Sequence, residues 1–223
     1  MTLSDLVATY RLLTDDIPAT AAGSDEEITD WLNEAERQAA FRARFLIDAL
    51  VSVALTAGRA EYVVGSNGIW IRRAKLVASA VPLAPVDYRD LDRSRHGWQS
   101  QTGTPTHHVR GLESLGQPLT FRPYPVPTAT GTVTLVIVRE PLEPMAADGD
   151  EPEIEARWHE DLVHWAMYRG FSRPDADFYD ADKALGYYAR FEAIFGTREA
   201  AIAAEAQAER EMANPMPYAV GTF

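Results

Sequence analysis

Residues 24–46 hold the feature that most constrains this fold: a capped start followed by an apolar stripe of helical period. Ser24-Asp25-Glu26-Glu27 has the spacing of a capping box, in which the Ser hydroxyl takes the N3 amide and Glu27 reaches back. Apolar residues then recur at Ile28, Trp31, Leu32, Ala35, Ala39, Phe45 and Leu46, at offsets 0, 3, 4, 7, 11, 17 and 18. That is one face of a 3.6-residue period, so a helix is expected from about Ser24 to about Leu46. Arg42 falls on the same stripe, so its head either snorkels to water or meets a carboxylate. The rest of the chain has to supply the cover for this face.

The period changes directly afterwards. Val51, Val53, Leu55 and Ala57 alternate with Ser52, Ala54 and Thr56, which is the period of a strand. Glu61-Tyr62-Val63-Val64 reads as a second strand, Gly65-Ser66-Asn67-Gly68 as a tight turn, and Ile69-Trp70-Ile71 opens a third running to about Ala80. Pro85 to Arg93 suits a short helix. Thr106–Arg110 and Leu119–Pro123 suit a hairpin, and Val133, Leu135 and Ile137 mark the most apolar strand.

Helical signals lie on either side of this region. Before it, Leu3, Leu6, Val7, Tyr10 and Leu13 share one side of a short helix. After an acidic linker, Met145 to Pro152, a helix is expected from about Ile154, with Ile154, Trp158, Leu162 and Trp165 in a stripe. A last helix carries Phe178, Ala181, Leu185, Tyr188 and Phe195 and runs on through the alanines of 199–212. The class is therefore α+β: a four-helix bundle built from both ends of the chain, with an inserted β-rich region of five to six strands. The divisions are 1–48 and 141–213 for the helices, 49–140 for the insertion, and 214–223 for an extended C-terminal arm.

Charge follows the same divisions. The net charge is −12. Residues 1–58 carry 4 basic and 10 acidic side chains, residues 59–139 carry 10 and 5, and residues 140–223 carry 7 and 18. A field of this sign repels a phosphate backbone, so specific nucleic-acid binding is not expected. Two readings of the uneven charge stand: solvated acidic helices, or a basic middle segment that docks on the acidic ends of neighbouring copies. The basic cluster Arg72-Arg73-x-Lys75 belongs to that segment and is the candidate inter-subunit face.

Chemistry finds little support. With no Cys in 223 residues, disulfides, thiolate metal sites and Cys nucleophiles are excluded. No signal peptide and no bilayer-spanning run is read, so a soluble protein is expected. His159 and His164 are i and i+5, about 140° apart around a helix and not the i, i+4 pair that zinc needs. His107 and His108 are adjacent on a strand and point to opposite faces. No nucleophile elbow, phosphate loop or dinucleotide fingerprint occurs, and no catalytic residue, cofactor or metal site is assigned. The C-terminal stretch is more suggestive. Pro215, Met216, Pro217, Tyr218, Val220 and Phe223 make an apolar, helix-incompatible end that suits an arm laid on a partner.

Several stretches, in order, resemble the head-to-tail adaptor proteins of tailed bacteriophages. They are Trp31-Leu32-Asn33-Glu34-Ala35, Thr56-Ala57-Gly58-Arg59-Ala60-Glu61-Tyr62, Trp98 through Gly103-x-Pro105-x-His107, and Leu119-x-Phe121-x-Pro123-x-Pro125. His107-His108 stand where that family usually has Tyr after Gly-x-Pro. The resemblance implies a non-enzymatic virion protein, made in the host cytoplasm and built into the neck as a ring, commonly dodecameric, beneath the portal. The ring extends the DNA channel, lets DNA pass without specific binding and receives the next neck or tail protein. It implies no membrane partner, and an arm that reaches the portal. Two other readings are another tail component (a tube or baseplate subunit) and a cytoplasmic small-molecule-binding protein.

Overall fold

The computed structural model describes residues 1–14, 23–65, 67–111, 118–174, 179–201 and 203, with backbone alone for 47–50. In chain order the elements are α1 (Leu3–Leu13), α2 (Asp25–Ala43), β1 (Ile47–Leu55), β2 (Tyr62–Gly65), β3 (Gly68–Leu76), β4 (Ala84–Asp87) and α3 (Tyr88–Ser94). They continue with β5 (Thr102–Gly103), β6 (His107–Arg110), β7 (Leu119–Tyr124), β8 (Val126–Pro127), β9 (Gly131–Arg139), α4 (Val163–Phe171) and α5 (Ala181–Phe195). The class is mixed α+β. The chain divides into two compact units, one of Met1–Leu46 with Glu140–Ala201, the other centred on Ile47–Arg139.

The helical unit gathers Met1–Leu46 and Glu140–Ala201 around one core. Ile28, Leu32, Ala35 and Ala39 of α2 meet Leu6 and Tyr10 of α1, Ala166 and Met167 of α4, and Phe191 and Phe195 of α5. Each fully buried Leu, Ile, Phe or Met contributes roughly 1.5–3 kcal/mol. The capping box at Ser24 forms in both directions, with the Ser24 amide donating to Glu27 at 2.9 Å and the Glu27 amide donating to Ser24 Oγ at 3.2 Å. Thr2 and Asp5 make a second box at the start of α1.

Three helix ends depart from the periodicity. α2 stops at Ala43, because Arg44 turns left-handed at φ 55 and its amide closes on Ala40. Phe45 and Leu46 still join the helical core from beyond the helix end. Residues 156–162 form two 3₁₀ turns and the α-helix begins only at Val163. Backbone groups there are claimed by side chains: the Glu153 and Ile154 amides donate to Glu36, and His159 Nε2 donates to the Ile154 carbonyl.

On α5 the buried residues are Ala184, Phe191 and Phe195, with Tyr188 half-buried, while Leu185 is 64% exposed. The true stripe is rotated from the expected one, and Phe178 lies outside the described residues. The long last helix is also interrupted: Gly196 takes φ 85, and the chain re-enters a helix with Thr197 Oγ1 accepting from the Ala200 amide at 3.1 Å.

The second unit holds nine strands among the described residues, more than the five to six expected, two of them only two residues long. They form sheets of order β1-β9-β3, β2-β7-β6-β4 and β5-β8. β9 is central in its sheet, with Leu135 opposite both Val51 and Ala74. Its apolar run fits that position, since it is flanked on both sides. β4 runs parallel to β6, which uses Pro85 and its neighbours as strand where only a helix is expected from sequence. The sheet core collects Ile71, Phe121, Val133 and Leu135, and a small satellite core holds Leu91, Trp98, Val109 and Tyr124.

Candidate interaction surfaces

The basic cluster lies on β3, an edge strand of the first sheet. Trp70 and Ile71 are both buried, and Arg72 and Arg73 are both exposed. Alternation would send one member of each pair to the opposite face. Trp70 and Ile71 do alternate, opposite the buried Val138 and Ile137, whereas for the arginines the register explains the exception: Ile71 pairs with Ile137 and Arg73 with Val136, so the ladder shifts between them and Arg72 is extra. Bulges of this kind re-aim side chains and blunt edges against unplanned pairing. Neither arginine makes an ion pair among the described residues. Lys75 is half-buried on the same strand.

The remaining edge of β3 is partly satisfied from within its own unit. The Leu83 amide donates to the Ala74 carbonyl at 2.9 Å, and Arg110 Nη2 donates to the Ile71 carbonyl. Arg110 is only 3% exposed and its guanidinium lies 4.9 Å from the centre of the Trp70 ring. Its Nε donates to His108 Nε2 at 3.1 Å, which requires that nitrogen to be unprotonated. Burial, reinforced by the Arg110 charge, pushes the His108 imidazole down to about 3. Its neighbour His107 faces Thr106 Oγ1 at 2.8 Å and is half-buried, so the two rings occupy different environments. No sequence signal marks Arg110 as the partner of β3.

Beyond β3 the chain runs uncharged from Leu76 to Val86. Val77 and Val81 in this stretch are 63% and 68% exposed. They form an apolar tip next to the basic strand.

The helical unit presents the opposite chemistry. Met1–Leu46 and Glu140–Ala201 carry 10 basic and 24 acidic residues, net −14, whereas Ile47–Arg139 carries 10 and 6, net +4. Between α1, α2 and the 144–148 segment lies an open groove of about 730 Å³. Its floor includes Leu3, Val7 and Met145, and its rim includes Glu26, Asp30 and Asp148. Asn33 shapes the floor: Nδ2 donates to the Met145 carbonyl at 2.9 Å, and the Met145 amide donates back to Oδ1 at 2.8 Å.

Arg42 resolves its two options in favour of a carboxylate within an aromatic enclosure. Its side chain is 3% exposed, Nη1 stands 3.4 Å from Glu192, and it donates to the Gly196 carbonyl at 3.3 Å. The guanidinium lies 5.3–5.6 Å from the ring centres of Trp165, Tyr188 and Phe191. Cation–π attraction of this kind contributes about 0.5–2 kcal/mol each. Among the described residues, no three His, Asp or Glu side chains gather as a group that could hold a metal ion, and no helix is long and apolar enough to cross a membrane. The arm residues Pro215, Met216, Pro217, Tyr218, Val220 and Phe223 lie outside the described residues.

The described residues thus present an acidic-rimmed groove on the helical unit and a bulged basic edge strand on the β-rich unit. Residues 1–218 match the family model described as SU10 adaptor protein, and the chain belongs to that family of phage head-to-tail adaptors. No curated protein matches the sequence. Membership makes the protein a bacteriophage structural component that associates with other head and tail proteins.

Proposed function

We propose that this chain is a non-enzymatic neck protein that forms a ring, dodecameric in the family manner, beneath the portal and joins capsid to tail. The observation that carries this reading is the family match across residues 1–218. The four longer helices form a bundle that serves as the ring's body, and the β-rich insertion of 49–140 offers Arg72, Arg73 and Lys75 to a neighbour. The arm of 214–223 reaches the portal. The net charge of −14 on the helical unit supports a channel wall that repels DNA and lets it pass without binding.

The test is cryo-EM of particles containing this protein, reconstructed at the tail vertex without imposed symmetry. The expected result is a ring of this chain directly below the portal. Density along the tail tube or at the baseplate would assign it to another tail component and overturn the adaptor reading.

A further inference from the structure

The geometry points to a specific docking surface: the acidic-rimmed groove between α1 and α2 receives the basic strand β3 and its apolar tip from a second copy of this chain. The inference rests on the ring of the adaptor reading and names the surfaces that build it.

Three observations carry it. The groove is apolar below and mainly acidic above, with Leu3, Val7 and Met145 at the floor and Glu26, Asp30 and Asp148 at the rim beside the Arg11–Asp25 ion pair. Those three carboxylates make no ion pair among the described residues. The complementary surface has the same two parts in the opposite sense. Arg72 and Arg73 are held outward by the bulge, and the uncharged tip follows with Val77 and Val81 exposed. Finally, the groove belongs to a unit of net −14 and the strand to a segment, Ile47–Arg139, of net +4, so the long-range field favours this pairing and opposes groove on groove.

The two halves are different patches of one chain. A contact between them is heterologous, and repeated head-to-tail contacts close into a ring when the rotation between copies allows. Exposed ion pairs contribute only about 0.2–1 kcal/mol each. The charges therefore set register and partner choice, and the tip valines add apolar contact over Val7.

The chain has no cysteine, so disulfide trapping starts from a silent background. Full-length Val77→Cys is mixed with full-length Ala8→Cys, and separately with Ala146→Cys, on the two sides of the groove. Under mild oxidation at least one mixture should yield a one-to-one covalent dimer, several-fold above a control mixture with Glu160→Cys. Adding Arg73→Glu to the first partner should suppress the product, and adding Asp30→Arg to the second should restore it. Heterodimer no greater than the control in both mixtures would overturn the proposal. So would a chain carrying Val77→Cys with Ala8→Cys that closes only on itself. The outcome is separable from that of the adaptor reading. A neck ring without trapping removes this surface and keeps the function, whereas trapping by a protein found elsewhere on the particle keeps the surface and removes the function.

Discussion

Asn33 and Met145 exchange two hydrogen bonds across the helical unit, the side-chain amide of α2 pairing with the backbone of the returning chain as a neighbouring strand would. Three residues further along α2, Glu36 accepts the Glu153 and Ile154 amides. Asn33 and Glu36 are 7% and 1% exposed, so these polar groups satisfy backbone that water does not reach. Together they fix where the chain re-enters the helical core after the sheets.

Replacing Asn33 with Ala leaves a buried donor and a buried acceptor of Met145 unpaired. Each costs about 1–3 kcal/mol, so a loss of about 2–6 kcal/mol is expected in urea unfolding. Asn33→Asp should also destabilise, because its carboxylate keeps the Met145 amide as donor but meets the Met145 carbonyl without a proton to offer. A loss below about 0.5 kcal/mol for the Ala variant would show that water replaces the pair.

Arg42 couples α2 to α5 through Glu192, the Gly196 carbonyl and the surrounding rings. Arg42→Lys keeps the charge and loses the planar fork that spans these groups, and about 1–3 kcal/mol of stability should go with it. Arg42→Met, which fills the aromatic enclosure without a charge to bury, should cost no more than Arg42→Lys. Thermal melts of both variants check the order; a far more damaging Met variant would mean that the charge itself holds Glu192.

Acid should weaken the β-rich unit before the carboxylates titrate. His108 is held neutral with its pKa lowered to about 3, against about 6.5 for a free imidazole. A depressed folded-state pKa means that the unfolded chain takes up the proton first, so the stability contribution is full above about pH 6.5 and is lost progressively toward pH 3. Burial lowers His107 and His164 as well, with the same sign. At pH 5 the His108 share of the loss is about 2 kcal/mol. Denaturant midpoints from pH 7.5 to pH 5 should therefore fall in the natural protein and fall less in His108→Gln. Parallel slopes would show that His108 is not the sensing group.

Removal of residues 214–223 should impair assembly onto the portal while leaving the unfolding midpoint unchanged. Particle reconstitution and a melt of the same variant read the two effects separately. Normal assembly would dispose of the arm as a partner-binding element.

The sequence by itself determined the starts of α1 and α2, the change of period near residue 50 and the α+β class. These are local facts, since a capping box needs four neighbouring residues and an apolar stripe needs one face. The family too was legible, from short motifs in their order. Tertiary structure decided what local signals do not encode. Leu185 has the spacing of a core residue but faces water, because packing against α4 selects Ala184, Tyr188 and Phe191 instead. Asn33, Glu36 and Arg110 look like surface polar residues in the sequence, yet they are buried because their backbone partners arrive from 39 to 118 positions away. The bulge that turns Arg72 and Arg73 to the same exposed side is likewise set by the partner strand β9, whose register no reading of β3 contains. Propensity and period act over a few residues, whereas burial and hydrogen-bond satisfaction depend on which distant segments come to share one dry space.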